Sequence, residues 1–172
     1  KGHEVDASTL AYKSGDGFLA SARGRSNQFA VFIDSTGRTY ALQVHSLPSA
    51  RGHGEPLSGR VNPPDGATFA GLMLGDAQDE YLIASDAGYG FVAKLEDLYA
   101  KNKNGKAVLN LPKGAKVLPP VRVTDYDSDR LAAINSTGQM LAFPLQDLPR
   151  MARGKGNKIL GIQAKKAAAR EE

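Results

Sequence analysis

The sequence has no cysteine. Disulfides and thiolate metal sites are therefore excluded, and a reducing compartment is permitted. No apolar run opens it: Lys1 to Tyr12 reads as polar chain, so no signal peptide is expected. Nowhere does an apolar stretch approach the length of a membrane-spanning helix. Charge of one sign is also scarce in excess, with 22 basic against 18 acidic residues, a net +4. Any case for nucleic acid must rest on where that charge sits. Turn formers, by contrast, are plentiful. With 19 glycines and 9 prolines in 172 residues, the chain has frequent turns and a length suited to one domain with a real core.

Catalytic signatures are missing too. No P-loop and no serine nucleophile elbow is present. His3, His45 and His53 share no metal-ligand spacing. Gly15-Asp16-Gly17-Phe18-Leu19-Ala20 fits G-x-G-x-x-A on paper, but a polar stretch precedes it and no helical pattern follows. Asp125, Asp127 and Asp129 alternate, yet the glycine at position six and glutamate at position twelve of a calcium loop are absent. They read as an acidic hairpin tip, equivalent to Asp76 to Glu80 one repeat earlier. Asn135-Ser136-Thr137 matches a glycosylation acceptor but reads as a turn.

What is present is repetition. Val31 to Leu42, Leu82 to Ala93 and Ala132 to Phe143 each run apolar strand, polar turn, glycine, second strand. Their turn glycines are Gly37, Gly88 and Gly138, at intervals of 51 and 50. Leu47, Leu98 and Leu148 keep the same offsets, and Gly54, Gly105 and Gly156 recur at intervals of 51 and 51. Each of the latter is followed three positions on by Leu57, Val108 or Ile159, and a leading glycine recurs as Gly15, Gly66 and Gly114. Landmarks in register at this period mean repeats.

Each unit predicts a β-hairpin with flanking strands. A turn such as Asp34-Ser35-Thr36-Gly37 suits a type I turn closed by a glycine bulge. In the first repeat the expected strands are Phe18 to Arg23, Phe29 to Ile33, Arg38 to Gln43 and Leu57 to Val61. Four short strands in about 50 residues make one propeller-type blade. A single blade cannot bury both faces, so stacked neighbours supply the core. The expected fold is all-β, with repeats at about 15–65, 66–113 and 114–162, and 1–14 as part of a preceding blade. The Ala- and Lys-rich tail, 163–172, receives no function.

The connectors between Leu47 and Leu57, Leu98 and Val108, and Leu148 and Ile159 differ from the rest. They contain glycine, almost no apolar bulk, and a single acid, Glu55. Their basic residues include Arg51, Lys101, Lys103, Lys106, Arg150, Arg153, Lys155 and Lys158. Most of the acid lies elsewhere, much of it in Asp76 to Glu80 and Asp125 to Asp129. Charge is thus segregated by position in the repeat. One such connector alone reads as a solvated turn; the recurrence at one position is what points to a binding surface.

The basic connectors carry a resemblance. The A subunits of gyrase and topoisomerase IV have a C-terminal β-pinwheel, a propeller-like ring whose blades exchange strands. Gyrase marks one connector with Gln-Arg-Arg-Gly-Gly-Lys-Gly. Here Arg51-Gly52-His53-Gly54 and Arg153-Gly154-Lys155-Gly156 look like degenerate versions, a departure that points to topoisomerase IV. Tyr12-Lys13-Ser14-Gly15-Asp16, Ala84-Ser85-Asp86-Ala87-Gly88-Tyr89-Gly90-Phe91, Leu118-Pro119-Pro120-Val121 and Gly154-Lys155-Gly156-Asn157-Lys158-Ile159 specifically resemble the A chain of topoisomerase IV. The match runs from about Gly2 to Ile162.

The resemblance implies an open or incomplete pinwheel that binds and bends duplex DNA without reading its sequence. It implies no catalysis by this chain alone, since the family's cleaving tyrosine lies outside it. No cofactor is expected here; ATP and Mg²⁺ would act in the ATPase partner of the full enzyme. Implied partners are duplex DNA, the dimeric catalytic part of the parent polypeptide, the ATPase partner and a condensin-type chromosome protein, with no small-molecule substrate. The implied location is cytoplasmic and nucleoid-associated, peripheral to the inner membrane in the full enzyme. Phosphate contacts fall first to Arg51, Lys103, Lys106, Arg153, Lys155 and Lys158, then to Arg23, Arg25, Arg38 and Arg60. The rival expectation is a protein-docking blade-repeat platform that does not touch DNA.

Overall fold

The computed structural model describes residues 9–49 and 52–162. Arg51, His3 and the tail 163–172 lie outside the described residues. Within them the regular structure is strands and short 3₁₀ turns.

The repeat hairpins form where the alternation predicts. β1 (Phe29–Asp34) pairs antiparallel with β2 (Arg38–Gln43), β4 (Glu80–Ser85) with β5 (Tyr89–Lys94), and β8 (Arg130–Ile134) with β9 (Met140–Pro144). A 3₁₀ turn follows each: Val44–Ser46, Leu95–Leu98 and Leu145–Asp147. These turns tuck Leu95, Leu98, Leu145 and Leu148 into the core.

The outer strands come from the next repeat. β3 (Phe69–Gly75) lies on the free edge of β1, and β6 (Lys106–Ala107) on that of β2, giving the order β3-β1-β2-β6. One period later β7 (Val121–Val123) pairs with β4, and β10 (Asn157–Lys158) with β5, giving β10-β5-β4-β7. A four-stranded blade is therefore one repeat's hairpin clasped by two strands of its successor. The sheets stay separate and do not close into a barrel.

The sheets stack face to face. Val31, Ile33 and Met73 of the first sheet meet Tyr81, Ile83 and Phe91 of the second. Leu82, Ala84 and Val92, on the opposite face of the second sheet, meet Leu145 and Leu148 beside the third hairpin. Being covered on both faces, β4 and β5 are almost continuously apolar and buried. β8 and β9 have one covered face and are mostly exposed on the other.

Three expectations need correction. Phe18–Arg23 forms no strand; Phe18 and Leu19 are 51% and 70% exposed. Its counterpart Phe69–Gly75 becomes a strand only by pairing with the hairpin of the repeat before, and the described residues hold no such hairpin for Phe18–Arg23. Leu57–Val61 is likewise not a strand. Leu57–Gly59 is a 3₁₀ turn, with Arg60 N–H and Val61 N–H both donating to Leu57 O. Pro56 occupies the position at which Ala107 and Lys158 pair, and it has no N–H to give. Finally, Asp76–Glu80 and Asp125–Asp129 are not hairpin tips. Each crosses from one sheet to the next, from β3 to β4 and from β7 to β8.

Candidate nucleic-acid interface

The connectors are placed by the turn glycines. Gly37 O accepts from Val108 N–H and Leu109 N–H at 3.0 and 2.9 Å. One period on, Gly88 O accepts from Ile159 N–H and Leu160 N–H at 2.7 and 3.3 Å. Glycine is needed twice over at these turns. Its φ is +83° at Gly37 and +81° at Gly88. A Cβ there would also stand 2.2 Å from Leu109 O or 2.8 Å from Leu160 O.

The second and third connectors are stitched together. Gly154 N–H donates to Val108 O at 2.8 Å, and Asn110 N–H donates to Gly154 O at 2.9 Å. A continuous strip thus runs from the tip of the first hairpin through Val108–Asn110 to Gly154 and on to β10 against Tyr89 and Gly90. Arg153, Lys155 and Lys158 flank it, with Lys158 and Arg153 reaching solvent beside the glycines. Lys155 Nζ lies 3.9 Å from the Tyr89 ring centroid, a cation–π contact that holds the ammonium without neutralising it.

A second group gathers at the 102–106 turn. Asn62 N–H donates to Lys103 O at 2.8 Å, and Arg38 Nε donates to Asn104 O at 3.0 Å. The Lys103 side chain is exposed, whereas Arg38 and Lys106 are half-buried. Lys106 Nζ donates to Asp97 O, which pins the connector to the 3₁₀ turn before it.

The sequence-derived contact set therefore divides. Lys103, Arg153, Lys155 and Lys158 present charge along the connectors, and Arg25 does so at the other end of the chain. Arg38 and Lys106 hold the connector backbone. Arg60 is committed to Glu55 at 2.8 Å, which offsets its charge. Arg23 is exposed, far in sequence from the strip.

Two acids at the end of the second hairpin opposite the strip are held by arginines. Asp79 pairs with Arg122 at 2.8 Å, and Glu80 with Arg150 at 2.6 Å. The Glu80 hydrogen bond pushes the Arg150 pKa further up, and the guanidinium stacks 3.9 Å from the Tyr126 ring centroid. Sequence reasoning does not single out Tyr89 or Tyr126 as platforms for cations. Tyr89 occupies the repeat position of Arg38, so comparing repeats at that position is the signal that finds it.

Other motifs find structural roles. The Asp125 carboxylate accepts from Asp127 N–H and Ser128 Oγ, and Asp129 accepts from Thr124 and Asp125 N–H, so these carboxylates tie a turn. Bonding by Ser128 and by the Asp127 amide lowers the Asp125 pKa. Asn135 Oδ1 accepts from Gln139 N–H inside the third hairpin. Gly15 sits in a turn with no helix after it. Among the described residues no three His, Asp or Glu gather as a metal site.

Known proteins share this arrangement. Residues 79–123 and 129–167 match the family described as the DNA gyrase C-terminal domain, beta-propeller. The structure of the Escherichia coli ParC C-terminal domain superposes with a TM-score of 0.90 at 51% identity, over 99% of this chain and 69% of that one. The chain belongs to the family of topoisomerase IV ParC C-terminal domains. Within that family, the whole chain is 60% identical to the A subunit of DNA topoisomerase 4 from Pseudomonas aeruginosa and 51% identical to that from Escherichia coli K12. It spans 23% of the length of either relative. The structure of the DNA gyrase A C-terminal domain, at a TM-score of 0.61 and 12% identity, shares the fold.

Proposed function

We propose that this chain binds duplex DNA along its connector strip and bends it. The observation that supports this most is the separation of charge. Lys103, Arg153, Lys155 and Lys158 stand on glycine-rich connectors, while Glu55, Asp79 and Glu80 are committed to arginines. Lysine and arginine neutralise phosphates, and glycine lets backbone N–H groups approach them. Among the described residues no element is shaped to enter a groove and read base edges, so recognition rests on shape and deformability.

In the parent enzyme this bending presents a second DNA segment for ATP-driven strand passage, and so serves decatenation and supercoil relaxation. The reacting tyrosine belongs to the dimeric catalytic part of ParC, while ATP and Mg²⁺ belong to the ATPase partner. The location consistent with this role is the cytoplasmic nucleoid. No comparison names a condensin-type partner.

The deciding experiment is binding of the chain to an end-labelled duplex, with end-to-end fluorescence transfer read at two salt concentrations. Salt-sensitive binding that draws the ends together on unrelated sequences is the expected result. Binding without added transfer would leave contact but remove bending. No binding at low salt would overturn the reading.

A further inference from the structure

Each clasping strand brings an apolar side chain onto the hairpin it covers. Phe69, which opens β3, has its ring centroid 6.4 Å from that of Phe32 and 6.0 Å from that of Tyr40. In the second blade Val117 takes that position, following Gly114 as Phe69 follows Gly66. It bridges to Ser85 and shares a buried cluster with Ile83 and Phe91, the counterparts of Phe32 and Tyr40. The third hairpin has Ala133 and Leu141 at those positions. Among the described residues no strand lies on the outer edge of β8, so nothing is brought there. Leu141 is left 47% exposed, and a cleft of about 430 Å³ opens beside Ala133.

The same chain carries a clasp without a hairpin. Residues 18–24 follow Gly15 as Phe69–Gly75 follows Gly66, with phenylalanine first and glycine last in both. They form no strand, and Phe18 is 51% exposed. β3 on β1 and β7 on β4 keep one register, in which Ala30↔Leu74 corresponds to Tyr81↔Arg122. Carried over to β8, that register sets Arg23 opposite Leu131, Ala22 opposite Ala132, and Phe18 over Ala133 and Leu141. Ala133 is smaller than Phe32 or Ile83, which leaves room for the ring. Charge agrees as well. Arg122 pairs with Asp79 at 2.8 Å; Arg23 stands at the Arg122 position and Asp129 at the Asp79 position. Asp129 takes part in no ion pair among the described residues. Residues 18–24 contain no proline, whereas Pro119 and Pro120 precede a β7 of only three residues. Closure within one chain is blocked, because Gly24 lies against Leu74 of β3 and the second sheet stands between that sheet and β8.

We propose that the outer edge of β8 is a strand-docking site, and that its occupant is the segment 18–24 of a second copy of this chain. Strand addition pairs the edge amides and carbonyls, and Phe18 supplies the apolar contact. The two surfaces differ, so the association is head to tail and either propagates or closes as a ring. Neither surface belongs to the connector strip, so self-association and DNA binding can fail separately.

Because the chain has no cysteine, single engineered cysteines report the register. Chains carrying Ala22→Cys and Ala132→Cys are mixed and treated with a short thiol-to-thiol cross-linker. A covalent dimer should form in the mixture and in neither variant alone. In sedimentation velocity the native chain should gain mass with concentration, and a peptide of residues 15–25 should reverse that gain. Phe18→Asp should remain monomeric with native amide dispersion, since Phe18 is exposed in the single chain. A native chain that stays monomeric at every concentration, covalent dimers from either cysteine variant alone, or native-like association of Phe18→Asp would overturn the proposal.

Discussion

Replacing Arg153, Lys155 and Lys158 together by alanine should change how DNA binding responds to salt more than it changes the fold. All three side chains flank the connector strip, and the ion pairs among the described residues engage other arginines. Each phosphate neutralised contributes about −0.9 to the slope of log affinity against log salt. Three lost contacts make the slope shallower by about 2.7. Between about 50 and 200 mM salt the native chain should then lose roughly 40-fold more affinity than the variant does. Anisotropy of a labelled duplex of arbitrary sequence, titrated across that salt range, measures both slopes. Arg60→Ala is the control, because Glu55 already offsets its charge at 2.8 Å. Its slope should match that of the native chain. An unchanged slope in the triple variant, or an equal flattening by Arg60→Ala, would refute the assignment of the strip.

Gly37→Ala should destabilise far more than Gly138→Ala in denaturant titrations. Both have positive φ, +83° and +85°, but a Cβ at Gly37 meets Leu109 O whereas one at Gly138 meets nothing within 4 Å. Gly138→Ala should cost only the left-handed penalty, about 1–2 kcal/mol. Tyr40→Phe should cost about 1–3 kcal/mol, since it takes the 2.7 Å hydroxyl donor from Asp34, itself fully buried. Burial and the Asp34 bond raise the Tyr40 pKa above its usual 10.0. Its stabilising contribution is therefore whole below pH 10 and lost as pH rises beyond it, a loss that Tyr40→Phe should not show. Asp125 has the opposite sign. Its pKa falls below 3.8, so its contribution holds above that pH and fades as pH drops. In a carboxyl NMR titration, Ser128→Ala should bring the Asp125 midpoint back toward 3.8.

Much of this fold was legible because the hairpins carry their own instructions. Val31 to Leu42 alternates around a glycine turn, and that local pattern is enough to place β1 and β2. The outer strands are different. Phe18–Arg23 and Phe69–Gly75 share a leading phenylalanine and similar spacing from Gly15 and Gly66, yet only the second is a strand. The difference lies in whether a hairpin is available to pair with, which no local pattern encodes. The candidate interface was legible at the level of connectors and not of side chains. Lys106 and Lys155 look alike in sequence, but Asp97 O lies within reach of one and the Tyr89 ring beneath the other. Arg60 and Glu55 stand five residues apart, and that proximity is a sequence-level reason to remove Arg60 from the contact set.

The clasping of each hairpin by its successor also governs how the chain is made. β1 is among the earliest strands, yet its sheet is complete only when β6 at Lys106–Ala107 arrives. Contacts of such high sequence separation slow folding, because loop-closure entropy is lost before pairing compensates. On the ribosome, every hairpin must wait half-dressed for the following repeat to emerge. Excising one repeat would not shorten the array by a clean unit, since it would remove the centre of one blade and both edges of another. Blade number can change without loss of pairing only if the remaining hairpins and clasps stay in register, which couples the length of the array to the repeat period of its sequence.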